Sequence, residues 1–221
     1  MEQGQARELL KAVDHTQLQA YCTWGDIVKL CEEAIEYETA SVCIPPCYVQ
    51  RVHERYGEKL NICTVIGFPL GYQVTEVKTA EAEAAIRQGC SEIDMVINIS
   101  DVKNGMYDRV EDEIRRVKEA CGDHILKVIV ETCYLTEEEK KTMCRIVTDA
   151  GADYIKTSTG FGTGGAAAED VKLFKEYIGP GVKIKAAGGV SALEDLQTFL
   201  ELGCDRVGTS KAVGLVKDNI S

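Results

Sequence analysis

Apolar runs of about five to eight residues recur along the chain, each followed by a stretch with helical spacing and charged faces. Such alternation predicts parallel strands, because a parallel pair must be joined by a long crossover, usually a helix. Eight strands are predicted, at residues 12–15, 41–44, 61–67, 92–99, 126–131, 154–159, 183–187 and 205–209. Helix starts are predicted at Thr136 with Glu139 and at Ser191 with Glu194, where a hydroxyl and a carboxylate three residues apart satisfy orphan backbone N–H groups.

An internal near-repeat supports the same architecture. Gly89-Cys-Ser-Glu-Ile-Asp94, Gly151-Ala-Asp-Tyr-Ile-Lys156 and Gly203-Cys-Asp-Arg-Val-Gly208 each run from a glycine through a small residue and a polar pair into a strand. The glycine suits a left-handed helix end. The copies fall on predicted strands four, six and eight, and alternate strands fill one layer of an eight-stranded barrel. Asp94, Lys156 and the empty position at Gly208 are therefore expected to share a layer around a cavity. A doubly wound open sheet produces similar alternation, but eight units without G-x-G-x-x-G after the first strand favour the barrel and weaken the case for NAD. The expectation is one α/β domain over residues 1–221, a (β/α)8 barrel.

Composition narrows the partners. The 221 residues carry a net charge of −11, so nucleic acid and anionic membrane surfaces are poor partners, and an anionic substrate needs local positive groups. Ten cysteines include no Cys-x-x-Cys pair and no finger-like histidine spacing, which reads as free thiols in a reducing cytosol rather than a zinc site. No apolar run approaches the length of a membrane span, and the first residues lack a signal-type apolar core.

Three strands end in ionisable residues: Glu92-Ile-Asp-Met-Val-Ile-Asn98, Tyr154-Ile-Lys-Thr-Ser-Thr-Gly160 and Lys183-Ile-Lys-Ala-Ala-Gly-Gly189. A charge inside an apolar run is costly, so Asp94, Lys156 and Lys185 are either paired or used. Lys156 precedes a stretch rich in hydroxyls and glycine, which places it just below the C-terminal rim of a barrel, the face that carries active sites. Lys185 stands in the same place on the next strand. Two ammonium groups that close are expected to lower the pKa of the more buried one, and a neutral amine attacks aldehydes to form a Schiff base. Asp94 is then the proton acceptor and donor. Gly188, Gly189, Gly208 and Ser210 sit one turn beyond the lysines, where glycine lets backbone N–H groups approach phosphate oxygens; Lys211 can add a charge there.

The motifs around Asp94, Lys156, Lys185 and Arg206-Val-Gly-Thr-Ser210, with Asp14-His-Thr16 and Ser41-Val-Cys-Ile-Pro45, resemble those of the deoxyribose-phosphate aldolases, in order, over nearly the whole chain. The resemblance implies a TIM barrel and a class I aldolase, with neither metal nor cofactor, that splits 2-deoxy-D-ribose 5-phosphate into D-glyceraldehyde 3-phosphate and acetaldehyde. It also implies a cytoplasmic homodimer and deoxyribose phosphate catabolism. In its terms Lys156 is the Schiff-base lysine, Lys185 the lysine that perturbs it, and Asp94 the proton carrier. Phe161 stands where some members carry lysine, and Lys211 where serine is frequent. Cys43 is expected to be a buried thiol, Lys127 to face the bottom or pair with a carboxylate, and His15 to be a satisfied polar residue near the mouth. The rivals are another Schiff-base barrel acting on a different phosphorylated aldehyde or ketone, and a catalytically silent sugar-phosphate binder.

Overall fold

A computed structural model describes residues 3–220. After α1 (Gln3–Leu10), eight strands follow, each leading into helix: β1 (Val13–Thr16), α2 (Trp24–Tyr37), β2 (Ser41–Ile44), α3 (Val49–Tyr56), β3 (Ile62–Ile66) and α4 (Thr75–Arg87). The chain continues through β4 (Glu92–Val96), α5 (Ile99–Lys103), α6 (Tyr107–Cys121), β5 (Ile125–Ile129) and α7 (Glu137–Asp149). It ends with β6 (Tyr154–Lys156), α8 (Ala168–Tyr177), β7 (Lys183–Ala187), α9 (Leu193–Glu201), β8 (Arg206–Thr209) and α10 (Ala212–Ile220). All neighbouring strands are parallel, and β1 pairs with β8 through Val13↔Val207, Asp14↔Gly208 and His15↔Thr209, closing a TIM barrel.

The predicted strands are all present, with ends displaced by up to three residues. Predicted strand four overran: Asn98 leaves the sheet to cap α5, its side chain accepting from the backbone N–H groups of Ser100 and Asp101. Predicted strand six overran too, because β6 ends at Lys156 and the hydroxyl-rich run is loop. The Thr136–Glu139 capping box forms as expected. At α9 the reach-back comes from Asp195 rather than Glu194: its carboxylate accepts the backbone N–H groups of Ser191 and Ala192, each at 2.9 Å. Helix α9 starts one residue later than the Ser191 cap assumed, which moves the third helical position to Asp195. The three repeat glycines, Gly89, Gly151 and Gly203, have φ of 98°, 76° and 104°, a backbone that a side chain would strain.

Two apolar regions result, and they differ greatly in size. The large one lies between sheet and helices, where outward residues such as Ile93, Met95, Leu126, Val128, Ile155 and Ile184 meet Ile27, Ile114, Val147 and Phe174 of the helices. The small one is Cys43, Cys63 and Val65 inside the barrel, with Leu18 and Phe68 packed against it. Much of the remaining interior is charged, with Asp14, Glu92, Asp94, Lys127, Lys156 and Lys185 all buried. Burying that set is affordable only because its members pair with one another.

Candidate active site

Period-two alternation turns Glu92 and Asp94 of β4, Lys127 of β5, Lys156 of β6, Lys185 of β7, Arg206 of β8 and Asp14 of β1 inward. Register brings them together: Asp94 pairs with Lys127, Lys156 with Lys185 and Lys185 with Arg206 on adjacent strands. Asp94 is the hub. Its Oδ2 accepts from Lys156 Nζ at 2.7 Å and from Lys185 Nζ at 2.6 Å, and its Oδ1 accepts from Lys127 Nζ at 3.0 Å and Cys63 Sγ at 3.2 Å. Lys185 also contacts Asp14, which Arg206 bonds from the other side. Lys127 reaches Glu92 at 2.6 Å, and Arg206 reaches it at 3.2 Å.

Burial opposes the charge on Asp94, but Lys127, Lys156 and Lys185 outweigh it and hold the carboxyl well below its usual range. Burial likewise opposes the charge on Lys185, and Asp14 and Asp94 outweigh that, so its pKa is raised. The expectation that the more buried lysine becomes more acidic is therefore corrected. The two ammonium groups do not face each other bare; they share a carboxylate oxygen, and attraction at hydrogen-bond distance exceeds their mutual repulsion.

Geometry separates the roles the two lysines can play. Among the described residues Lys156 has one ion pair, with Asp94, and it lines the cavity at the mouth of the barrel. Lys185 has two ion pairs, is fully buried and does not line that cavity. Four interior cations (Lys127, Lys156, Lys185, Arg206) face three carboxylates (Asp14, Glu92, Asp94). Consuming the Lys156 charge thus leaves the set balanced rather than anionic.

The loop after Lys156 is tied down by its hydroxyls. Thr157 Oγ1 bridges to the backbone of Ala187, and Thr159 donates from both N–H and Oγ1 to the buried Glu131 at the end of β5. Glu131 has φ of 54°, an uncommon conformation for a side-chain-bearing residue, so its position is enforced by these bonds. The loop then passes under Gly188: Ala166 N–H donates to the carbonyls of Ala187 and Gly188, both at 3.0 Å.

The cavity, of about 320 Å3, is lined by Lys156, Gly188, Gly189, Gly208, Ser210 and Lys211, with Thr16, Leu18 and Phe161 among its other walls. Gly188 and Gly189 both have left-handed backbone, φ 80° and 77°. The predicted layer needs revision at Gly208. Its missing side chain is not open space, because a Cβ there would lie 3.2 Å from Lys185 Cε. The glycine makes room for the lysine stem, and Asp94 lies deeper, outside the cavity lining.

The remaining expectations resolve plainly. Lys127 faces the interior and pairs with carboxylates. His15 points out of the barrel to Glu33 of α2, at 2.9 Å, rather than to the mouth. Cys43 is fully buried, and all ten thiols are free. The ligand atoms of Cys43, Cys63 and Asp94 lie within 4.8 Å of one another, as do those of Asp14, Cys63 and Glu92. A cation at either place would sit against the ammonium groups of Lys127 and Lys185, which disfavours it. Sequence reasoning missed the roles of Asp14, Glu92 and Arg206, and gave the carboxylate pairing of Lys127 only as one of two alternatives. The available signal was a charged residue two positions from Asp94, and others on the inward face of neighbouring apolar runs.

A parallel barrel with a cluster of buried lysines around one carboxylate, opening on a glycine-lined cavity, defines an aldolase-type lyase. The family model for the DeoC/LacD aldolases matches residues 8–216. The chain belongs to this family. A deoxyribose-phosphate aldolase of Clostridium botulinum is 68% identical over 210 residues, 95% of each chain, and that of Clostridioides difficile is 57% identical over 212 residues, 96% of this chain and 97% of that one. Among solved structures, a tetrameric deoxyribose phosphate aldolase from Aeropyrum pernix superposes with a TM-score of 0.88 at 30% identity, covering 99% of this chain and 93% of that one. Among the described residues no helix is long and apolar enough to cross a membrane.

Proposed function

We propose that the chain is a deoxyribose-phosphate aldolase, reversibly cleaving 2-deoxy-D-ribose 5-phosphate to D-glyceraldehyde 3-phosphate and acetaldehyde through a Schiff base on Lys156. The observation that carries this reading is the single-ion-pair Lys156 at the cavity floor, 2.7 Å from Asp94. Identity of 56–68% to curated deoxyribose-phosphate aldolases supports the substrate.

The amine of Lys156 adds to C1 of the open-chain sugar, and loss of water gives a protonated imine. C2–C3 then breaks toward the imine, the C3 hydroxyl loses its proton and C3 becomes the aldehyde of glyceraldehyde 3-phosphate. C1 and C2 stay on Lys156 as an enamine, which is protonated at C2 and hydrolysed to acetaldehyde. Asp94 is the proton carrier for these steps, since it already accepts from Lys156. Lys185, held protonated by Asp14 and Asp94, keeps a positive charge beside the imine and orients Asp94. The phosphate is held by Gly188, Gly189, Gly208 and Ser210 at the other end of the cavity, supported by the starts of α9 and α10 that follow them.

The free thiols support a reducing, cytoplasmic setting, and the catabolic role rests on the family resemblance alone. Leu70, Tyr72 and Val74, exposed on the loop before α4, support association of the chain with itself as a homodimer. Light scattering decides between dimer, tetramer and monomer.

The test is treatment with acetaldehyde and sodium borohydride, then intact mass and peptide mapping. A two-carbon adduct on Lys156 is expected. An adduct on Lys185 would reverse the lysine roles, and no adduct, with no cleavage of the sugar phosphate, would reduce the chain to a binding protein.

A further inference from the structure

Six carboxylates are buried among the described residues: Asp14, Glu92, Asp94, Glu113, Glu131 and Asp170. Five have a lysine or arginine at ion-pair distance, Glu113 with Lys78, Asp170 with Lys140 and the other three within the barrel. Glu131 is the one of the six without such a partner. A carboxylate buried without a cation depends on neutral donors, and the donors it takes are the groups it holds in place.

Both donors to Glu131 come from one residue, 28 positions away. Thr159 N–H donates to Oε1 at 3.1 Å and Thr159 Oγ1 donates to Oε2, while Oγ1 itself accepts from Phe161 N–H at 2.9 Å. Among the described residues, these are the hydrogen bonds that hold the loop between Thr157 and Ala166. Glu131, by contrast, is bracketed by the sheet: Val130 N–H donates to Lys156 C=O at 3.0 Å, and Thr132 N–H donates to Thr157 C=O at 2.9 Å. The loop closes over the carboxylate, since a Cβ at Gly162 would stand 3.1 Å from Glu131 Cδ. A fixed post thus grips the loop at Thr159. Thr159, Gly160 and Phe161 line the mouth cavity with Lys156, and Glu131 stands behind them, outside the lining.

We propose that Glu131 is a positioning residue: acting through Thr159, it fixes the 159–161 wall of the cavity, against which a five-carbon sugar phosphate is aligned on Lys156. This rests on the functional reading above and deepens it. A two-carbon aldehyde needs Lys156 alone, which the sheet holds, whereas the sugar phosphate extends from that lysine past the wall. A carboxylate suits the task because it offers one acceptor oxygen to each of two donors, while a glutamine would turn an N–H group toward one of them.

The experiment compares Glu131→Ala, Thr159→Val and Thr159→Ser with the unaltered protein. For 2-deoxyribose 5-phosphate, kcat/KM is expected to fall about tenfold to a hundredfold in E131A and T159V, and to stay within about threefold in T159S, which keeps the hydroxyl. The rate at which acetaldehyde and borohydride label Lys156 is expected to stay within about threefold throughout. The double variant is expected to lose no more than the worse single one, because both act through one contact. Unchanged kcat/KM in T159V, equal losses in T159S and T159V, or sugar cleavage and acetaldehyde labelling falling together would each overturn the proposal. T159V leaves the buried carboxylate in place, so it decides the matter even where E131A fails to fold. Hydrogen exchange of the 158–165 amides, read by mass spectrometry without substrate, is expected to quicken in both variants while β6 stays protected; unchanged exchange would also overturn it. If the unaltered protein neither cleaves the sugar phosphate nor forms an imine, the aldolase reading fails by itself, and hydrogen exchange still decides whether Glu131 holds the wall.

Discussion

Lys156 and Asp94 meet at 2.7 Å although 62 residues separate them in sequence and an entire β-strand stands between theirs in the barrel. The contact crosses the interior, so it depends on strand tilt and on nothing local. Lys156→Ala is expected to lower turnover about a thousandfold or more, and Lys185→Leu about a hundredfold or more, in single-turnover assays. Near-normal activity in either variant would remove that lysine from the mechanism.

Lys127 is the structural counterpart. It touches Glu92 and Asp94 and lies at 3.6 Å from Asp14, so replacing it leaves Glu92 with Arg206 alone and strips Asp94 Oδ1 of its ammonium partner inside the barrel. Lys127→Met is expected to destabilise the fold by about 3–5 kcal/mol, read by calorimetry as a fall in Tm of about 6–20 °C. A variant as stable as the parent would show that the interior charges rearrange freely.

Gly165 supports the phosphate end from beneath. A Cβ there would come to 2.4 Å from the Gly188 carbonyl oxygen and 2.5 Å from its carbon, so one backbone must move. Gly165→Ala is expected to raise KM for the phosphorylated sugar about tenfold, with a smaller effect on kcat. Unchanged steady-state constants would place the phosphate elsewhere.

The buried charges also predict how stability varies with pH. Asp14 and Asp94 are held below the ordinary 3.8, so the unfolded chain takes up these protons first as pH falls; their contribution is present above 3.8 and is lost below it. Lys127 and Lys185 are raised above 10.5, so theirs is present below 10.5 and is lost as pH rises further. A Tm plateau between these limits, falling on both sides, is expected from calorimetry across pH 3 to 11. Asp14→Asn is expected to flatten the acid limb, and an acid limb as steep as the parent's would contradict the assignment.

Thiol burial gives an independent check on the fold. Cys47 is exposed, Cys22 and Cys133 are half-buried, and the other seven are buried. A thiol reagent is expected to label Cys47 at once, Cys22 and Cys133 more slowly, and the remainder only on unfolding. Rapid native labelling of Cys31 or Cys144 would mean that the helix layer opens.

Much of this was legible in one dimension, for a physical reason. Strand and helix periods are local, so eight apolar runs and the glycines at 89, 151 and 203 announce the barrel, and a lysine or aspartate inside such a run announces its own cost. The sequence alone thus determined the parallel barrel and the three residues Asp94, Lys156 and Lys185. Which oxygen each ammonium shares, and hence which way its proton affinity moves, was decided only by the closed sheet. Sequence spacing says that two lysines occupy equivalent strand positions, which suggests repulsion; the tertiary structure inserts Asp94 between them and Asp14 behind Lys185, reversing the sign. Gly208 shows the same limit, since a glycine reads as a vacancy until the stem of Lys185 is found against it. Coulomb energies depend on distances across the barrel, and those distances exist only after β1 has joined β8.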